Sequence, residues 1–153
     1  NGGFIMGIYV GGTGSANQLD DYEEGSWTPQ WTSASGGPPN HQAQAGKYVK
    51  IGNLVYVIFS VSMNGINGGS GNIGISGLPF SAQTLNAQGI RGGFGTLGRG
   101  YNAPSALSHC VASGSTVRFM LSDHTDMQHN SSGMGTGYNE CQISGTITYN
   151  VAI

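Results

Sequence analysis

Glycine or proline interrupts every ten-residue window of this chain in which apolar side chains recur at helical spacing. Inside a helix a glycine costs about 1 kcal/mol relative to alanine, and a proline about 3. Helices are therefore excluded as the main element. Glycine fills 28 of 153 positions and reaches positive φ without steric penalty, so many turns and close β packing follow. What remains is a set of short apolar runs between turn clusters, which is the pattern of strands. The chain reads as all-β.

The strongest strand signal covers 53–63, where Leu54, Val55, Tyr56, Val57, Ile58, Phe59 and Val61 are aliphatic, β-branched or aromatic. Being apolar on both faces, this strand must be central, or face a core on one side and a neighbouring subunit on the other. Span 116–122 alternates, with Val117, Phe119 and Leu121 on one face and Arg118 and Met120 on the other. Span 146–151 sets Ile147, Tyr149 and Val151 against Thr146, Thr148 and Asn150. Weaker strands fit 47–51, 72–76, 89–97 and 106–111, and a lead-in strand fits 4–10. Clusters at 67–71, 98–100, 113–115 and 131–133 supply turns. Seven or eight short strands at this spacing predict an antiparallel β-sandwich. A jelly roll fits best; an immunoglobulin-like order stays open, because periodicity does not report strand order. Residues 33–45, which include Pro38 and Pro39, read as a loop without structure of its own.

Charged residues make up only 8% of the chain, against about 25% in ordinary soluble domains. Disorder is excluded by two Trp, seven Tyr and five Phe. Net charge is −2, and Lys47, Lys50, Arg91, Arg99 and Arg118 are scattered. With no basic stripe to release counterions, nucleic acid is not an expected partner. No run approaches the ~20 apolar residues that span a bilayer, so membrane insertion is not expected. Cys110 and Cys141 lack a CxxC or Cys–His spacing and read as small buried thiols of a chain folded in a reducing cytosol, their pairing left open. The chain begins at Asn1, and reads as part of something longer or as a processed product.

One cluster invites a metal or acid–base reading: Asp123-His124-Thr125-Asp126-Met127-Gln128-His129. It could ligate a divalent cation if the loop curls; the plainer reading is a polar loop tip after the 116–122 strand. No metal or cofactor is expected. A glycosidase needs two carboxylates about 5–9.5 Å apart, and no spacing brings Glu140 to Asp123 or Asp126. No GxSxG elbow is present. The chain is not expected to be an enzyme.

The run Ala16 to Trp31, ANQLDDYEEGSWTPQW, is the most informative segment. It resembles a sequence found where the C-terminal domain of many bacteriophage tail fibres and tailspikes begins, with Ser26 in place of the commoner Thr. Two further segments resemble that family in the same order: Gly46-Lys47-Tyr48-Val49-Lys50-Ile51-Gly52-Asn53, and Ile75-Ser76-Gly77-Leu78-Pro79-Phe80. Together they cover roughly the first half; the span 83–145 resembles nothing that can be named. The resemblance implies a homotrimer at the distal end of a virion's fibre or spike, assembled in the host cytoplasm and binding a cell-surface polysaccharide. It also implies a lead-in over 1–16 that continues a shaft, and a C-terminal domain over 17–153. Catalysis, if any, is expected on an upstream domain. The alternatives are a purely structural trimerisation cap, or, less favoured, part of a depolymerase.

Within this frame Asp20, Asp21, Tyr22, Glu23, Glu24, Trp27 and Pro29 are expected to be structural. Four carboxylates within five residues repel one another and need fixed donors or cations. If 27–31 is extended, Trp27, Pro29 and Trp31 share one face; they cap the core rather than offer a platform for sugars. Glycan binding is expected from loops of the second half, through Arg99, Tyr101, Asn102, Asp123, His124, Asp126, His129, Asn130 and Tyr138. These combine aromatic faces with amide, carboxylate and imidazole groups on segments rich in Gly, Ser and Asn.

Overall fold

A computed structural model describes residues 8–9, 18–19, 21–35, 40–64, 70–84, 92–99, 102–128 and 140–151. These hold eleven strands: β1 (Ile8–Tyr9), β2 (Gln18–Leu19), β3 (Tyr22–Trp27), β4 (Gln30–Ser35), β5 (His41–Ile51), β6 (Leu54–Asn64), β7 (Ser70–Ser76), β8 (Gly93–Arg99), β9 (Leu107–Ser113), β10 (Thr116–Leu121) and β11 (Glu140–Asn150). No helix occurs among the described residues. β1 and β2 pair in a small sheet of their own, and most of the expected lead-in lies outside the described residues.

The other nine strands form one antiparallel sheet in the order β3-β5-β6-β11-β8-β9-β10-β7-β4. A two-sheet sandwich was the expectation; instead the ladder is continuous through the β8–β9 pair. The two edge strands, β3 and β4, are consecutive in the chain and separated only by Thr28 and Pro29. Two residues cannot span a flat nine-stranded sheet, whose strands lie ~4.8 Å apart. The sheet is therefore curled into a half-barrel that brings its edges to this corner. The Gln44 amide donates to the Pro29 carbonyl and ties the corner to β5.

The core fills the concave side. β6 contributes Val55, Val57, Phe59, Val61 and Met63, β11 contributes Ile143, Ile147 and Tyr149, and β7 contributes Ile73 and Ile75. Phe59 on β6 stacks against Phe119 on β10 at 6.1 Å, although three strands separate them in the sheet. Trp31 meets Phe119 edge-on at 5.9 Å and donates its Nε1 hydrogen to the Ser62 carbonyl. The two halves thus face each other across one interior.

The bend is made possible at β8. Its first two concave positions are Gly93 and Gly95, with no side chain to obstruct the neighbours, and Leu97 follows on the same face against the core. A Cβ on Gly95 would sit 2.0 Å from the Thr146 carbonyl oxygen, and one on Gly93 would sit 2.3 Å from the Tyr149 Cβ. The hairpins β5–β6 and β9–β10 each turn through two residues whose first is a glycine at positive φ, Gly52 at 58° and Gly114 at 57°.

The span 33–45 was expected to be a loop, and this is corrected. β4 runs to Ser35 and β5 begins at His41. Its Gln, Ala and His side chains carry little strand propensity, but backbone bonds to the long β6 extend the ladder regardless of side chain. Residues 36–39 lie outside the described set.

Burial pushes the Cys110 thiol up to about 12, the Cys141 thiol to about 11 and the Tyr149 phenol to about 12. Both thiols are free and inert in this setting. Their ordinary values are 9.0 for the thiols and 10.0 for the phenol, so the unfolded chain releases these protons first. Stability is complete below about pH 9 and falls as pH rises towards about 12. Urea midpoints measured at about pH 8 and about pH 10.5 should fall less between the two in Cys110→Ala than in the parent; equal falls contradict the account. Gly95→Ala should cost about 2–3 kcal/mol by overpacking. Gly98→Ala, whose Cβ would lie 3.7 Å from the Ser144 carbonyl oxygen, should be close to neutral.

Candidate functional site

The three segments that carry the family resemblance converge in space. Trp27 pairs with Gly46 across β3 and β5, and its indole lies where any side chain at 46 would stand, with a Cβ there 2.3 Å from Nε1. Ile75 pairs with Trp31 across β7 and β4. Phe80 meets Tyr48 edge-on at 5.5 Å and lies 5.5 Å beneath the Lys50 ammonium. Trp27, Pro29 and Trp31 are all buried, so none offers a face to a ligand.

The cation that the acidic segment requires comes from the same chain. Lys50, only 9% exposed, pairs with Asp21 and with Glu23, the latter at 3.4 Å. Hydrogen bonding to Asp21 holds the lysine above its ordinary value, and burial opposes this. Glu24 points to the opposite face and accepts from the Tyr22 hydroxyl at 2.6 Å, which raises the Tyr22 phenol. Asp20 lies outside the described residues. The clasp fastens β3, an edge strand, to β5.

The convex face of β3, β5, β6, β11 and β8 is the most distinctive surface. Register places its outward side chains in rows across the sheet. One row is Tyr22, Ile51, Leu54 and Asn150; the next is Glu24, Val49, Tyr56, Thr148 and Phe94; the third is Ser26, Lys47, Ile58, Thr146 and Thr96. Beyond lie Ala45, Ser60, Ser144 and Gly98. Among the described residues, the exposed large apolar side chains are Tyr22, Ile51, Leu54, Tyr56, Ile58 and Phe94, from 44% to 62% accessible. All six stand on this one face. Toward its small-residue end the face sinks into a hollow of about 440 Å³ lined by Ala45, Ser60, Thr96, Gly98, Ser144 and Thr146. A second hollow of about 360 Å³ adjoins it at Lys47 and Ile58 and reaches Glu24 and Tyr56.

The convex face of β10, β7 and β4 is chemically different. Its outward side chains include Thr116 and Arg118 on β10, Asn72 and Ser76 on β7, and Gln30 and Thr32 on β4. A notch of about 150 Å³ lies here, lined by Thr32, Ser33, Asn72, Gly74, Thr116 and Arg118 among others. Asp126 forms an ion pair with Arg118 and accepts from the Asn72 amide at 3.0 Å.

The residues expected to bind glycan do not form one cluster among the described positions. Asp126 is largely enclosed, at 15% side-chain exposure, and holds Arg118 and Asn72. Asp123 shapes the turn after β10 by accepting from the Thr125 amide at 3.0 Å and its hydroxyl at 2.6 Å, which lower its carboxyl. His124 occupies that turn at φ 64°, its ring 6.0 Å from that of His109. Asn102 stands at φ 53° before β9, and Arg99 ends β8 opposite Ile143. Tyr101, His129, Asn130 and Tyr138 lie outside the described residues. No group of three or more His, Cys, Asp or Glu side chains suited to a metal ion occurs among the described residues. Sequence reasoning missed Lys50, Phe94, Asn72 and Arg118. Only Phe94, a lone aromatic in a Gly-rich strand, carried a local signal.

Lys50→Met keeps side-chain length and removes the charge. Amide exchange across Tyr22–Trp27 should then accelerate about tenfold or more, while β6 stays protected. The raised lysine contributes at neutral pH and is lost only as pH climbs through its elevated value. Unchanged exchange in β3 would show the clasp to be ornamental.

No family model, curated protein or solved structure matches the chain.

Proposed function

We propose that this chain is the C-terminal domain of a bacteriophage tail fibre or tailspike, that it assembles as a homotrimer, and that the assembly binds a host cell-surface polysaccharide. The observation that carries the proposal is the convex face of β3, β5, β6, β11 and β8, which gathers every exposed large apolar side chain among the described residues. Contiguous apolar patches of this kind mark interaction surfaces. Burying what remains exposed of each side chain contributes roughly 1 kcal/mol apiece.

A second copy of the chain is the occupant that this face fits. Its large side chains stand at one end, and the hollow lined by Ala45, Ser60, Thr96, Gly98, Ser144 and Thr146 lies at the other. Large side chains of one copy then seat in the hollow of the next, a head-to-tail packing that gives a ring when its rotation closes. Its charged side chains among the described residues are Glu24 on β3, Lys47 on β5 and Glu140 at the start of β11. The sequence resemblance supplies the copy number of three and the setting at the distal end of a virion fibre. The packing of the three resembling segments against one another supports treating them as one structural unit. On this reading the two facing halves of the curled sheet correspond to the two layers of a jelly-roll-like sandwich.

A binding role is favoured over a depolymerase because, of the carboxylates among the described residues, all but Glu140 are engaged, and a glycosidase needs two. Asp21 and Glu23 serve Lys50, Glu24 serves Tyr22, Asp123 serves Thr125, and Asp126 serves Arg118 and Asn72. Equilibrium sedimentation of the domain should give the mass of a trimer at micromolar concentration. Tyr56→Lys and Ile58→Lys, each on an exposed position, should yield folded monomers. A parent that sediments as a monomer, or a trimer indifferent to both substitutions, would contradict the proposed interface.

A further inference from the structure

We propose that Lys47 and Glu140 form an ion pair between neighbouring copies of this chain and set the register in which their convex faces meet. The inference rests on the trimer reading and names the polar contact of that interface. Among the described side chains, every other Lys, Arg, Asp and Glu is engaged within the chain. Asp21 and Glu23 hold Lys50, Asp126 holds Arg118, Glu24 accepts from Tyr22, and Asp123 accepts from Thr125. Lys47 and Glu140 are both exposed, and neither belongs to an ion pair among the described residues.

The two stand on the same face and cannot meet within one copy. β11 alternates, so that Glu140, Gln142, Ser144, Thr146 and Thr148 turn to the convex side while Cys141, Ile143 and Ile147 fill the core. Lys47 pairs with Ile58 and Ile58 with Thr146, which places the lysine six residues along β11 from Glu140. At ~3.4 Å per residue the separation is ~20 Å, beyond the reach of the two side chains. Glu24 lines the same hollow as Lys47, but its carboxylate is turned to the Tyr22 hydroxyl and makes no ion pair with the ammonium.

Covering the face decides the rest. A charge taken alone under an apolar surface loses its water without return, so its burial requires an opposite charge. Lys47 stands beside Ile58 and lines both hollows, where a seated copy strips water from its ammonium. Glu140 is the carboxylate left to meet it among the described residues. The offset that joins them also suits the apolar fit. Six residues on from Leu54, along β6, is Ser60, whose row with Ala45 and Ser144 lines the larger hollow. The slide that carries Lys47 to the level of the next copy's Glu140 therefore carries Leu54 over that hollow. Strand order agrees as well: β5 and β11 flank β6 on either side, so two copies facing along β6 with strands running the same way set β5 against β11. A slip of two residues moves the charges ~7 Å apart and leaves both unpaired, so the pair specifies one register.

Zero-length carbodiimide coupling of ammonium to carboxylate tests the pair in the unaltered protein, refolded from a mixture of isotope-labelled and unlabelled chains. The Lys50–Asp21 pair is the internal control for coupling. Lys47 should couple to Glu140 in peptides that join a labelled to an unlabelled chain. Coupling of Lys47 to Glu24 instead, or no Lys47 product where the Lys50 product forms, overturns the pair. Lys47→Glu and Glu140→Lys should each raise the concentration at which the trimer half-dissociates by about tenfold or more, and the doubly reversed chain should return to within about threefold of the parent. Single reversals without effect, or a double reversal no better than either, overturn the contact and leave the trimer standing. A parent that sediments as a monomer overturns the trimer reading and the pair with it.

Discussion

Thr28 and Pro29 join two strands that belong at opposite edges of a nine-stranded sheet. Because so short a link cannot cross the sheet, the sheet must come round to meet it. The curl brings β6 and β10 face to face, so that Phe59, Phe119 and Trp31 share an interior. It also explains why β8 has glycine at 93 and 95 on its concave face, where neighbouring strands press closest. Lys50 then secures the edge strand that the corner leaves least supported, by holding Asp21 and Glu23 over the ring of Phe80.

Curling one sheet produces two convex faces, and the chain has made them unlike. Along the row that starts at Glu24, the outward residues run through Val49, Tyr56, Thr148, Phe94 and Val111 and then to Arg118, Gly74 and Thr32. Apolar and aromatic side chains give way to polar ones between β9 and β10. In the proposed assembly the first face meets another copy. A chain with 8% charged residues has few other means of keeping the two apart.

How much of this was legible in the sequence depended on where the signal resided. The span 54–64 declared itself, because its side chains are apolar on both faces, and the alternation of 116–121 and 146–150 set those strands correctly. The first halves of β5 and β11 were hidden, since residues such as Gln42, Gln44, Gln142 and Ser144 carry no propensity signal and are held by the ladders to β6. β3 was hidden for a different reason: its acidic run becomes a strand only once Lys50 is across from it. One continuous sheet could not be told from two, because periodicity assigns faces and not neighbours. The same limit concealed the site. Tyr22, Ile51, Leu54 and Phe94 become a surface only through the strand order, and Arg118, Asn72 and Asp126 come from three separate elements.

The central claim is that one convex face is covered in the assembled protein and the other is free. Hydroxyl-radical footprinting of the assembled protein reads both at once, since each face carries oxidisable side chains. The account predicts protection of Tyr56 and Phe94, which are 46% and 62% exposed in the single chain, together with oxidation at Met120 on the β10 face. Rapid oxidation of Tyr56 and Phe94 in the intact assembly, at the rate expected for the isolated chain, would contradict it.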